Sequence, residues 1–200
     1  MQLPKTIGCV YLHGYLSSPK SKKAQQLLSF FKDHHMASQL RVPCLAFEPE
    51  DAIRQAQAAI QDLQRQPGIE QVFLIGSSLG GYYSTYLSQK LGIKAALINP
   101  AVQPYKLFDK YLGPNKHFYD GKTYQLEVKH IEQLQALEVE PLQLPENLFL
   151  LLQTADETLD YCLASAKYIN SPSWIEAGGN HGFEGFMSRL DMIFSFVQRQ

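Results

Sequence analysis

The chain has 200 residues, 45% of them hydrophobic, enough for one well-buried domain and demanding no second. Its 18 Lys and Arg stand against 19 Asp and Glu with no long run of either sign, which argues against nucleic acid or an anionic membrane surface as the main partner. Three widely spaced cysteines, Cys9, Cys44 and Cys162, fit idle or buried thiols better than a disulfide framework or a zinc site. The N-terminus offers no apolar stretch long enough for a signal peptide or a membrane span, so a cytoplasmic protein is expected.

In chain order, the first apolar run is residues 7–12, short and nearly continuous. A helical face follows at Ala24, Leu27, Leu28 and Phe31, then a weaker strand candidate at 40–42 and a second helical face at Ile53, Ala56, Ile60 and Leu63. Apolar runs recur at 72–75, 93–98 and 148–152, with a helical stretch at about 79–91 and another weak strand at 173–175. The closing stripe of Phe183, Phe186, Met187, Leu190, Phe194 and Val197 reads as one amphipathic helix. Continuous rather than alternating apolar runs mark strands covered on both faces, as in parallel sheets. Strand and helix in alternation predict a doubly wound, mostly parallel α/β sheet.

Residues 100–145 break this rhythm. They contain Pro104, Pro114, Pro141 and Pro145 after Pro100, no long strand, and the aromatic residues Tyr105, Phe108, Tyr111, Phe118, Tyr119 and Tyr124. A connection of that length is uncommon unless it serves as a lid or binding loop. It reads as a small cap inserted at about 101–145, with short helices near 104–112 and 128–137.

The motif that carries chemistry is Gly76-Ser77-Ser78-Leu79-Gly80, a Gly-x-Ser-x-Gly placed directly after one strand and before one helix. In a nucleophile elbow the central residue takes a strained backbone conformation at a sharp turn, and small neighbours let strand and helix approach. Ser78 occupies the tip. The alternative, a glycine-rich phosphate loop, lacks the lysine of a P-loop and the spacing of a dinucleotide fingerprint.

A serine hydroxyl needs a base and usually an acid to orient that base. His181, in "EAGGNHGF" between the last weak strand and the closing helix, stands where a loop at a strand's carboxyl end would bring it to the same rim. His34, His35, His117 and His130 fall on expected surface helices or the cap, where solvated roles are the default. Asp156 follows the 148–152 strand by a few residues, with Glu157 and Asp160 as rivals and helix capping as its alternative role. The order Ser, Asp, His is that of the hydrolases built on such elbows. For an oxyanion hole, Leu79 supplies one backbone N–H, and the "LHGYLSSP" turn supplies a second from Tyr15 or Leu16. His13 reads as a structural hydrogen-bonding residue beneath that turn.

Several stretches extend the pattern: "YLHGYLSSPKSKKA" (11–24), "GSSLGGYY" (76–83), "NPAVQPY" (99–105), "YLG" (111–113), "YQLEVKHIEQL" (124–134), "LLLQTADETLDY" (150–161) and "GGNHGFEGF" (178–186). Together they resemble the bacterial YqiA-type esterases, small α/β-hydrolases, over most of the chain, cap included. The resemblance implies the α/β-hydrolase fold. It also implies a Ser-Asp-His triad carried onto Ser78, Asp156 and His181, and hydrolysis of carboxylic esters or thioesters without metal or organic cofactor. Tyr15-Leu16 stands where that family's first loop leads us to expect Phe-Asn.

The expected partner is therefore a small acyl ester or thioester, without nucleic acid or stable membrane association. Tyr15, Leu16, Tyr105 and Phe108 are the candidates for an acyl pocket, since aromatic rings combine large apolar area with a polar edge. For Tyr105 and Phe108, packing of the cap is an equal alternative. Two other readings use the same residues: a non-catalytic ligand-binding protein on this fold, and an acyltransferase.

Overall fold

The computed structural model describes residues 3–199. Its centre is a six-stranded sheet built from β1 (Ile7–Leu12), β2 (Leu40–Arg41), β3 (Gln71–Ser77), β4 (Ala95–Ile98), β7 (Leu148–Gln153) and β8 (Ser173–Glu176). The spatial order is β2-β1-β3-β4-β7-β8, and every neighbouring pair runs parallel. The chain begins inside the sheet and steps outward to β2. It then returns past β1 to β3, so the connections leave β1 and β3 in opposite directions. Crevices of this kind, outside the carboxyl ends of the strands, are where open α/β sheets bind ligands.

The helices cover both faces. Along β3, Phe73 and Ile75 pack against the layer of α1 (Lys22–Asp33) and α7 (Leu190–Gln198), through Leu27, Phe31, Ile193 and Phe194. Val72 and Leu74 face the other layer, with Ile60 and Leu63 of α2 (Pro49–Arg65) and Leu87 of α3 (Leu79–Leu91). Both faces of β1, β4 and β7 are buried in the same way, which is why those runs are apolar without alternation. The strand β8 lies at the sheet's edge with Trp174 and Ile175 exposed, so its signal in the sequence is weak.

Between β4 and β7 the chain leaves the sheet. It forms α4 (Pro104–Phe108), an antiparallel hairpin of β5 (Gly113–Lys116) and β6 (Thr123–Leu126), and α5 (Val128–Ala136). The two helices fall where expected; the hairpin between them is an addition to that reading, its first strand Gly113–Lys116 lacking apolar residues and its second turning only Tyr124 and Leu126 inward. After β7 comes α6 (Tyr161–Lys167), which starts at Asp160: its side chain accepts the Cys162 N–H as an N-cap.

The closing helix is shorter than its apolar stripe. Phe183 lies outside it with φ +57°, residues 186–189 form a 3₁₀ turn, and α7 begins at Leu190. The buried side chains Phe183, Phe186 and Leu190 keep the stripe while the backbone changes form. Among the described residues no helix is long and apolar enough to cross a membrane.

Candidate active site

Ser78 follows β3 directly and caps α3, with φ 55° and ψ −120°. A non-glycine residue there carries strain of about 1–3 kcal/mol and persists only where its surroundings over-determine it. Here they do. Ser78 N–H donates to the Ile98 carbonyl, and its own carbonyl accepts from the N–H groups of Gly81, Tyr82 and Ala101. The turn also depends on two missing side chains. A Cβ on Gly80 would lie 2.1 Å from the Leu12 carbonyl oxygen, and one on Gly76 would lie 2.3 Å from that of Gly80.

The three residues expected to act together are in hydrogen-bond contact. His181 Nε2 lies 3.1 Å from Ser78 Oγ, and His181 Nδ1 lies 2.8 and 3.0 Å from the two oxygens of Asp156. Because a carboxylate can only accept, Nδ1 carries the proton, leaving the Nε2 lone pair toward the serine. Asp156 has a side-chain exposure of 2%. Burial pushes its pKa up, but the His181 hydrogen bond and the N–H groups of Leu159 and Thr158 outweigh that, so the acid stays below the usual carboxylate range. Asp156 thus orients histidine and closes its own turn at once. Of its rivals, Asp160 caps α6, and Glu157 accepts the His181 backbone N–H at 2.9 Å.

The loop bearing His181 is held by residues that sequence reasoning passed over. Asn99, just past β4 with φ +39°, donates its amide to the carbonyls of Asn180 (3.0 Å) and His181 (3.2 Å) and accepts the Gln153 N–H. Gln153, the last residue of β7, accepts the N–H groups of Asn180 and Glu184 and donates to the Glu184 carbonyl. Gly179 lies so close that a Cβ would sit 2.0 Å from the Gln153 side-chain oxygen. From α1, Lys23 Nζ donates to the Gly182 carbonyl at 2.6 Å. Burial, only partly offset by Asp156, pulls its pKa down to about 8. A legible signal existed for Asn99 and Gln153: each is a polar residue ending a fully apolar run at the sheet's carboxyl edge.

The first-strand turn meets the elbow from the other side. Gly14 is close enough that its missing Cβ would lie 3.2 Å from Ser78 Cβ. The Gly14 carbonyl is gripped by His13 Nδ1–H at 3.0 Å and Ser17 N–H at 3.3 Å, and in a trans peptide this turns the Tyr15 N–H the opposite way. His13 is buried and accepts the Leu45 N–H on Nε2, so it is a neutral, structural imidazole as expected. Leu16 takes φ +51°, a conformation costing roughly 1–2 kcal/mol for a residue with a Cβ.

Beside this turn lies a cavity of about 230 Å³ whose wall includes Gly14, Tyr15, Leu16, Phe47, Leu79 and Tyr83. Tyr15 and Leu16 therefore stand where a pocket wall was expected, but Tyr105 and Phe108 are not on it. Phe108 packs behind Tyr15, ring centroids 4.6 Å apart. Tyr105 turns toward Glu138, just beyond the end of α5; burial and then that carboxylate push its hydroxyl pKa up. Phe47 and Tyr83 supply the aromatic wall instead. Phe47 comes from the loop before α2 and stacks on Tyr124 at 5.0 Å. Tyr83 is four residues after Leu79 on the same helical face.

His117 and His130, expected in solvent, are also enclosed: His130 is buried and accepts the Glu127 N–H, while His117 reaches the Ser17 carbonyl. A larger cavity of about 420 Å³, lined by Gln71, Val72, Ile93 and Lys94, lies at the opposite, amino end of the strands. No group of three or more His, Cys, Asp or Glu among the described residues is arranged to hold a metal ion.

The sequence pattern of an uncharacterised protein family, UPF0227, matches residues 8–198. The chain belongs to this family, the YqiA family. Solved structures share its fold at low identity. Est1E from Butyrivibrio proteoclasticus is 13% identical with a TM-score of 0.68, over 97% of this chain and 86% of that one. A putative hydrolase from Agrobacterium vitis is 17% identical with a TM-score of 0.69, covering 98% and 91%. A metagenome-derived lipolytic enzyme from the LipS and LipT pair is 14% identical with a TM-score of 0.70, covering 100% and 96%. The chain thus has the α/β-hydrolase fold.

Proposed function

We propose that this YqiA-family protein is a serine hydrolase of acyl esters or thioesters. The observation that carries the reading is the unbroken hydrogen-bond chain from Ser78 Oγ through His181 to buried Asp156. In the proposed mechanism, His181 Nε2 takes the Ser78 proton as Oγ attacks the acyl carbonyl. The resulting oxyanion is met by the backbone N–H groups of Leu79 and Tyr15, two donors pre-set by the elbow and by the gripped Gly14 carbonyl. Collapse expels the alcohol or thiol, which takes its proton from His181. Water, deprotonated by the same imidazole, then attacks the acyl-enzyme and releases the acid. Asp156 stays ionised and holds the imidazole in the tautomer that can accept.

The cavity of about 230 Å³ beside Leu79 and Tyr15 is the candidate acyl site. The test is hydrolysis of p-nitrophenyl esters from acetate to palmitate by wild type and Ser78→Ala. Turnover should fall by about 10³-fold or more in the variant, and the chain-length optimum of the wild type measures the acyl site. Equal turnover by the two proteins would end the proposal.

A further inference from the structure

We propose that His117, on the hairpin between β5 and β6, is a positioning residue for the oxyanion hole, acting through the turn at residues 14–17. The inference rests on the acyl-transfer reading above and extends it from the sheet to the inserted segment. Two hydrogen bonds join hairpin to turn: His117 Nε2–H donates to the Ser17 carbonyl at 2.8 Å, and the Phe118 N–H donates to the Leu16 carbonyl at 3.1 Å. A carbonyl can only accept, so Nε2 carries a proton. On its other side, Nδ1 faces the N–H groups of Tyr119 and Asp120 at 3.3 and 3.2 Å, which it accepts when bare, and the Asp120 carboxylate at 3.0 Å, to which it donates when protonated; in either form Nε2 keeps the proton it gives Ser17. One imidazole therefore closes the hairpin tip and ties it to the turn.

The turn needs an external tie. Its internal hydrogen bond, Ser17 N–H to the Gly14 carbonyl, is long at 3.3 Å, and Leu16 sits at φ +51°, a conformation leucine abandons unless held. Release of Ser17 would let Leu16 relax, freeing the Gly14–Tyr15 peptide whose N–H is to face the oxyanion. The effect falls on the transition state, where that donor acts, and little on ground-state binding.

Two substitutions separate the halves of the ring's role. His117→Asn keeps an acceptor for the Tyr119 and Asp120 N–H groups but places no donor within reach of Ser17. His117→Gln has the same number of bonds from Cβ to its amide nitrogen as histidine to Nε2, and keeps the tie. Each is assayed for kcat and KM on a short p-nitrophenyl ester, and for inhibition by a trifluoromethyl ketone, whose serine adduct places an oxyanion in the hole. The expected result is a kcat lower by about tenfold in His117→Asn, a fraction of the 10²–10³ for outright loss of a donor. Because His117 also lines the cavity, KM is free to move by a few fold; the signature of the tie is that inhibitor affinity weakens in parallel with kcat/KM while His117→Gln stays near wild type. Wild-type values in His117→Asn would overturn the proposal, as would a lower kcat with unchanged inhibitor affinity. Wild type inactive on all esters would remove the reading beneath it, and the proposal with it.

Discussion

Asn99→Gly tests whether the His181 loop is held by the network at the sheet's carboxyl edge. Glycine accepts the φ of +39° without strain, so the substitution removes only the side chain. Lost are the two donations to the carbonyls of Asn180 and His181 and the acceptor for the buried Gln153 N–H. An unsatisfied buried N–H costs about 1–3 kcal/mol, and the two donated bonds contribute roughly 0.5–1.5 kcal/mol each. Solvent can recover part of the latter, and glycine adds about 0.5–1 kcal/mol through unfolded-chain entropy. The expected destabilisation is therefore about 2–5 kcal/mol, read as a lower urea midpoint at unchanged m-value. Since a shift of 1 Å at a reacting group costs on the order of 10²-fold, kcat on a short ester should fall by about that factor in protein still folded at assay temperature. A variant within about 0.5 kcal/mol of wild type and with unchanged kcat would mean that neither satisfaction of the Gln153 N–H nor positioning of the His181 loop depends on Asn99.

Other outcomes follow from the same geometry. Gly80→Ala sets a Cβ against a backbone oxygen at 2.1 Å, which no side-chain rotation relieves; a loss of about 3 kcal/mol or more in thermal unfolding, with activity lost as the elbow moves from β1, is expected. For Lys23, the folded pKa of about 8 lies below the ~10.4 of a free lysine. The unfolded chain thus binds more protons between those values, and this residue's contribution makes stability rise with pH across that window. Lys23→Met should flatten that rise when urea midpoints are compared at pH 7.5 and 10. Asp156 acts with the same sign in the acid range: its pKa is held below the ordinary value, so its stabilisation is complete above about pH 4 and is lost as pH falls through the folded value. Asp156→Asn should reduce the difference in midpoint between pH 7 and pH 3.

The sheet was legible because β1, β3, β4 and β7 are buried on both faces and therefore apolar throughout. The elbow was legible for a different reason, since its glycines are demanded by backbone contacts under 2.5 Å. The hairpin was not, because Gly113–Lys116 carries no apolar residue and the inward face of its partner strand is only Tyr124 and Leu126, too short a pattern to announce a strand. Phe183 misled because an apolar stripe records which side chains are buried, whichever backbone form carries them. Tyr105 and Phe108 show the same limit within the insert: composition marks them as aromatic, but only the packing of α4 decides that one backs Tyr15 and the other faces Glu138.

The most direct test of the central claim is labelling of the folded protein with a fluorophosphonate, followed by peptide mass spectrometry. A single phosphonyl adduct should form on Ser78, absent in Ser78→Ala and formed much more slowly in His181→Ala. Folded wild type that remains unlabelled at Ser78, or that carries the adduct on another residue, would contradict that claim.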